Sequence, residues 1–542
     1  MPPTVRVAVI YALPILAICG ARALWRRLFA VLDNIPGPPL KSLFTGNLLQ
    51  YHDPDGWAFH KNLEENYGGV VKLNGFFGVR QLYVFDPAAL DSILVKDQDL
   101  YEEIPQNMCM NRLLFGKGII STIGDDHRRY RKIMLPAFST ANLRGMVPLF
   151  YDVVEQARDN LIAPNVGEGS QMLDFNSILG RTALELIGRT GIGYSFDPML
   201  PGQEQNDRYA ASLKGLFPAA MKLVLLGPVL PFIEKLPFPS FRHFLINFIP
   251  IPALHQLRNL VDFTDAAATK LVRDRKAAIK SGEVCVEDDA KDIMSLLVKS
   301  NMSAESGMYL TDKELVAATS IIISAATDTT SAAMNRIFHT LALYPAVQEK
   351  LRAEILASSE RLDYSALEAL PYLDAVVHEI LRLYPPATPG MFRETCEDTV
   401  LPLSTPIVGV DGTPMKTIAI PKGTTIYIAI AAVNHSKEIW GEDALEFKPE
   451  RWTHGRANSV TTKTCGIYGN TMTFLGGGRG CIGLKFSELE IKVVTCVLLR
   501  SFKLSSPDPN IQWRITGIIP SPNVDNQPSL PILVERLSLA TC

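Results

Sequence analysis

The chain has 542 residues, 47% of them hydrophobic and 20% charged, with a formal net charge of −3. That is enough apolar material for a large buried core, and too little charge imbalance for a disordered chain. No basic stripe marks a nucleic-acid partner, and the eight cysteines form no C-x-x-C pair, so neither a zinc site nor a disulfide framework is indicated.

The first predicted element is an uncharged run, Val7 to Ala21. At about 1.5 Å per residue it reaches roughly two-thirds of a ~30 Å hydrocarbon core. Ala23, Leu24 and Trp25 extend the span if Arg22 snorkels. Arg22, Arg26 and Arg27 follow the run and only Arg6 precedes it, which puts the bulk of the chain on the cytosolic side. The run also has the length and the small flanking residues, Gly20 and Ala21, of a cleaved signal peptide. Mostly unpaired thiols in the remainder favour a reducing compartment, hence the anchor.

IPGPPL, Ile35 to Leu40, is too rich in proline to continue a helix and predicts a stiff, extended hinge. Beyond it, VVKLNGF and QLYVFD read as short strands, and helical patterning dominates from about Asn142 to Leu383. Within that region Leu213 to Pro252 holds seven prolines and six phenylalanines. It reads either as core packed between short helices or as a surface dipping into a bilayer interface.

A helix of about thirty residues is expected from the capping box Thr311/Glu314 to Tyr344-Pro345. Its apolar centre is interrupted by Thr327, Asp328, Thr329, Thr330 and Ser331. Ala325 and Ala326 share a face with Thr329, so a flat object can lie against that face beside a proton donor. Alternatively Asp-Thr-Thr-Ser caps a second helix after a break at Ala326. Further on, Glu379 and Arg382 stand at i, i+3 on an apolar helix, where partial burial demands further partners. FKPERW, Phe447 to Trp452, offers one.

The stretch FLGGGRGCIG, Phe474 to Gly483, sets Cys481 among glycines. Gly478 to Gly483 matches a dinucleotide fingerprint literally, but no βαβ unit surrounds it and one helix follows before the chain runs down. The other reading is that the glycines clear room for something wide and planar beside the sulfur, with Cys481 at the N-terminus of the next helix, where a thiolate is favoured.

Together these motifs resemble the cytochrome P450 family. Phe474, Gly477, Arg479, Cys481 and Gly483 match its haem-ligand signature, Ala325 to Thr330 its oxygen-activating helix motif, and Glu379-x-x-Arg382 with Pro449-Glu450-Arg451-Trp452 its Glu-Arg-Arg cluster. The resemblance covers residues 36 to about 540. It implies a mainly α fold with minor β: an anchor (1–30), a hinge (31–40) and one haem domain (41–542). It also implies haem b with Cys481 as axial thiolate, and Asp328 and Thr329 organising protons for O2. Arg479, Arg393 and Arg131, with His127 on the Arg131 face, would hold the propionates. Glu379, Arg382 and Arg451 would be structural. The implied partners are an NADPH-cytochrome P450 reductase docking near Lys485 and Arg451, a lipophilic substrate, and the endoplasmic reticulum membrane. Ala326, Gly478 and His127 depart from the commoner glycine, proline and tryptophan, and the His127 version resembles fungal members. A haem-thiolate isomerase or dehydratase, or a haem carrier without turnover, are the alternative functions.

Overall fold

The computed structural model describes residues 31–167, 169–200, 208–235, 246–281, 292–302, 309–453, 462–506 and 511–537, with Ala17, Gly20, Ala21 and Leu24 from the first thirty. The predicted anchor therefore lies almost wholly outside the described residues. The Leu213–Pro252 region is described only in part.

Five helices frame the site: α1 (Gly124–Met134), α2 (Arg208–Met221), α3 (Asp312–Leu343), α4 (Pro371–Leu383) and α5 (Leu484–Ser501). The helix α3 runs unbroken through the polar cluster. Its hydroxyls fold back onto their own turn, Thr327 donating to Ile323 O at 2.8 Å and Thr329 to Ala325 O at 2.6 Å, so none competes for the ladder from outside. Both halves of the Thr311/Glu314 capping box are present, and Pro345 opens the next helix instead of extending this one. Among the described residues α3 is the one helix long and apolar enough to cross a membrane. Its apolar window is 67% buried, which marks it as the central helix of the body.

A five-stranded sheet lies to one side. It comprises β1 (Val70–Asn74), β2 (Arg80–Val84), β3 (Tyr101–Glu102), β4 (Phe392–Thr395) and β5 (Thr425–Ile428), in the order β1-β2-β5-β4-β3. Only β2 and β5 run parallel. A hairpin, β6 (Gln512–Thr516) and β7 (Ile519–Val524), packs on α3. The proline hinge is laid along the sheet rather than held free. Lys72 donates its N–H to Pro36 O at 2.9 Å, and Ile35 is buried.

The described part of the phenylalanine-rich region is more deeply buried in α2 and more exposed beyond it. Leu213, Leu216, Ala219 and Ala220 of α2 are buried, whereas Phe232 and Phe248 stand 51% and 56% exposed.

Candidate active site

Cys481 sits on a loop knit by its own backbone. Its N–H donates to Phe474 O at 2.9 Å, Gly480 N–H to Gly477 O at 3.1 Å, and Ile467 N–H to Leu475 O at 3.1 Å. Two of the glycines answer first to neighbouring protein. A Cβ on Gly477 would meet Leu94 O at 1.7 Å, and φ there is +65°; a Cβ on Gly476 would meet Cys465 O at 2.0 Å. Gly478 is exposed and donates its N–H to Gln98 Oε1 at 3.1 Å. Phe474 packs edge-on to Tyr468, and Gly483 caps α5, accepting the Ser487 N–H at 2.9 Å.

The thiol is open to solvent-sized contact although it lies deep within the body. Burial pushes its pKa up, while the Gly483 N–H and the Arg131 guanidinium pull it down. Burial outweighs both, and the thiol stands above its ordinary pKa.

The second accessible surface inside the body is the middle of α3. Ala325 is exposed at the centre of an otherwise buried helix, with Ala326 and Thr329 half-buried beside it. Asp328, one residue round from Thr329, faces α2 and shares a small cavity with Lys214, Ser324, Thr327 and Leu184. Burial raises the Asp328 pKa against the lowering effect of Lys214.

A cation cluster closes the third side. His127 is buried and its pKa is lowered to about 4, by burial first and then by Arg479, Arg131, Arg393 and Arg128. His127 is thus neither solvent-exposed nor charged at neutral pH. Arg131 donates to Gly480 O at 2.6 Å, and Arg479 donates to Thr122 O at 2.8 Å and to Glu102 Oε2 at 3.3 Å. Arg393, on β4, pairs with Glu103 Oε1 at 2.5 Å. Among the described residues Arg131 meets no carboxylate. Three inward guanidiniums thus face two glutamates, which suits an anionic edge such as a pair of propionates.

Glu379 and Arg382 are fully buried and joined at 2.8 and 2.9 Å. Every remaining polar atom is occupied. Arg382 donates to Asn434 O and Ala444 O at 2.7 Å each, and Glu379 accepts from Trp452 Nε1 at 2.9 Å and Lys448 N–H at 3.2 Å. Arg451 reaches Glu379 at 3.4 Å and spends its other donors on Trp440 O and Asp443. It is turned inward, so of the two residues expected at a docking face only Lys485 is exposed.

Several residues here carry no sequence signal. Glu102, Glu103 and Lys214 reach the site only through folding. So does Glu490 on α5, a fully buried acid beside Thr330 whose oxygens find no well-formed hydrogen bond among the described residues. A trio with metal-ligating chemistry, Asp374, His378 and Glu488, encloses the Lys492 ammonium, which lies 2.9 Å from Asp374 and 3.3 Å from Glu488. That ammonium, with Lys485 at 2.8 Å from Glu488, already serves the two carboxylates.

An accessible buried thiol, a small-residue helix face and an anion-seeking arginine cluster make up the residue set of a haem-thiolate protein. A family model described as Cytochrome P450 matches residues 36–522. Cytochrome P450 monooxygenase 91 of Postia placenta is 42% identical over 96% of this chain and 98% of its own length. A ganoderic acid synthetase of Ganoderma lucidum is 37% identical over 98% and 99%, and a P450 monooxygenase of Hericium erinaceus 34% identical over 97% of each. The chain belongs to the cytochrome P450 family, with fungal relatives, and shares that family's haem-thiolate monooxygenase chemistry.

Proposed function

We propose that this chain is a membrane-anchored monooxygenase that inserts one oxygen atom of O2 into a lipophilic substrate such as a terpenoid, a steroid or another secondary metabolite. The observation that carries this reading is the thiol of Cys481, accessible at the heart of the body. Bound haem b would supply the oxygen-activating chemistry. Cys481 would hold its iron through the sulfur. Arg131, Arg393 and Arg479 would hold its propionates, with neutral His127 among them, and Phe474, Gly477 and Gly483 would fix the loop that presents the sulfur. Ala325 and Ala326 leave the helix face low enough for a planar group to approach. Thr329 holds a hydroxyl at that face, and Asp328 moves protons toward it from the Lys214 side. Glu379, Arg382 and Arg451 keep the segment behind the loop in place and take no part in the reaction.

Residues 1–30 would anchor the chain in the endoplasmic reticulum membrane, 31–40 form the hinge, and 41–542 form the haem domain facing the cytosol. Electrons would come from a separate NADPH-cytochrome P450 reductase docking near Lys485. The exposed Phe232 and Phe248 suit substrate arriving from a bilayer. One relative is named for ganoderic acid synthesis, in keeping with a secondary-metabolite substrate.

The test is the carbon monoxide difference spectrum of the reduced protein beside Cys481→Ser. A red-shifted Soret band in the native protein that is lost in the variant is the expected result. An imidazole-like band unchanged in Cys481→Ser would sink the reading.

A further inference from the structure

The antiparallel pairing of β3 with β4 sets Tyr101 opposite Thr395 and Glu102 opposite Glu394. Glu103, the next residue, is thereby delivered to Arg393 one position along the neighbouring strand. The Arg393 side chain is 3% exposed and that of Glu103 17%, at an N–O distance of 2.5 Å. Glu102 turns the other way. It accepts from Arg479 at 3.3 Å and from the Gly124 N–H, at the start of α1, at 3.3 Å. Both glutamates therefore sit inside the same ring of guanidiniums that surrounds His127, with Arg479 between them in charge as well as in space.

We propose that Glu102 and Glu103 are potential-setting residues, two fixed negative charges that share the propionate arginines and make the haem harder to reduce. The inference rests on the haem-thiolate reading above. Its logic is charge arithmetic. Arg131, Arg393 and Arg479 bring three positive charges, the two glutamates cancel two of them, and a pair of propionates carries the net to minus one. With the glutamates neutral the same group stands at plus one. Reducing ferric to ferrous iron adds one electron, supplied by the external reductase, so every negative charge nearby opposes it. Partial burial keeps solvent from screening the effect.

Spectroelectrochemical titration of the purified haem protein decides it, on Glu102→Gln, Glu103→Gln and the double variant. Each single change is expected to raise the equilibrium constant for ferric-to-ferrous reduction about tenfold, about 59 mV upward for one electron, and the double change more. Haem should be held at least as tightly, because the arginines are freed for the propionates. Glu102→Gln disturbs the structure less, its contact being longer, and keeps the test open if Glu103→Gln loosens β3. A native thiolate-type carbon monoxide band with unshifted potentials would overturn this inference alone, showing the glutamates swing clear once haem is bound. Loss of haem from both single variants would also overturn it, making them structural. A native protein without that band would instead overturn the function proposed above.

Discussion

Asp328 titrates under two opposing influences. Burial raises its pKa and Lys214, across the small cavity on α2, lowers it. Removing that cation in Lys214→Met lets burial act alone, so the carboxylate forms only at higher pH. The acid limb of the kcat–pH profile is expected to move upward, and a limb that stays put would detach Lys214 from proton delivery. Asp328→Asn removes the titration outright, and product formation should fall about 100-fold while NADPH oxidation continues. Glu379 belongs to a different class of residue. Breaking its buried pair with Arg382 strands a charge at 0% exposure, so Glu379→Gln should cost about 3–5 kcal/mol in urea unfolding. These roles were unevenly legible in the sequence. Cys481, Thr329 and the Glu379/Arg382 pair belong to short local motifs, whereas Lys214, Glu102 and Glu103 matter through contacts across hundreds of positions and carry no local pattern.

At the scale of elements, the cysteine loop separates two glycines that look alike in the sequence. Gly477 needs a left-handed φ and abuts Leu94 O, so Gly477→Ala should leave little protein with a thiolate-type carbon monoxide band. Gly478 is exposed, and a Cβ there meets only the movable Gln98 side chain at 2.7 Å; Gly478→Ala should retain the band. The motif announced that glycines were needed, but the reason lay in Leu94 and Cys465, whose approach only the fold reveals. Helix α3 was legible because both its ends are set by adjacent residues. Its neighbour α5 carries Glu490, whose pKa burial raises well above the usual glutamate value of 4.5. A raised acid contributes stability that is complete below about pH 4.5 and is lost as pH rises toward the folded-state value. Glu490→Gln removes that slope. The variant should therefore gain on the native protein between pH 5 and 8, by at most about 1.4 kcal/mol per pH unit. Parallel stabilities would mean the acid is not held neutral.

Over the whole molecule, the mainly helical plan with its small sheet followed from the pattern of the chain. The hinge did not, because nothing in IPGPPL says that Pro36 will accept a hydrogen bond from Lys72 on the edge strand. The attachment fixes Pro36 on the edge strand, and a few residues along the chain Leu43 and Phe44 stand 67% and 56% exposed. The backbone bonds of the cysteine loop carry a different consequence. They hold Cys481 through the backbone of Phe474 and Gly477, so a side-chain change in the loop leaves the sulfur in place unless it forces the main chain to move.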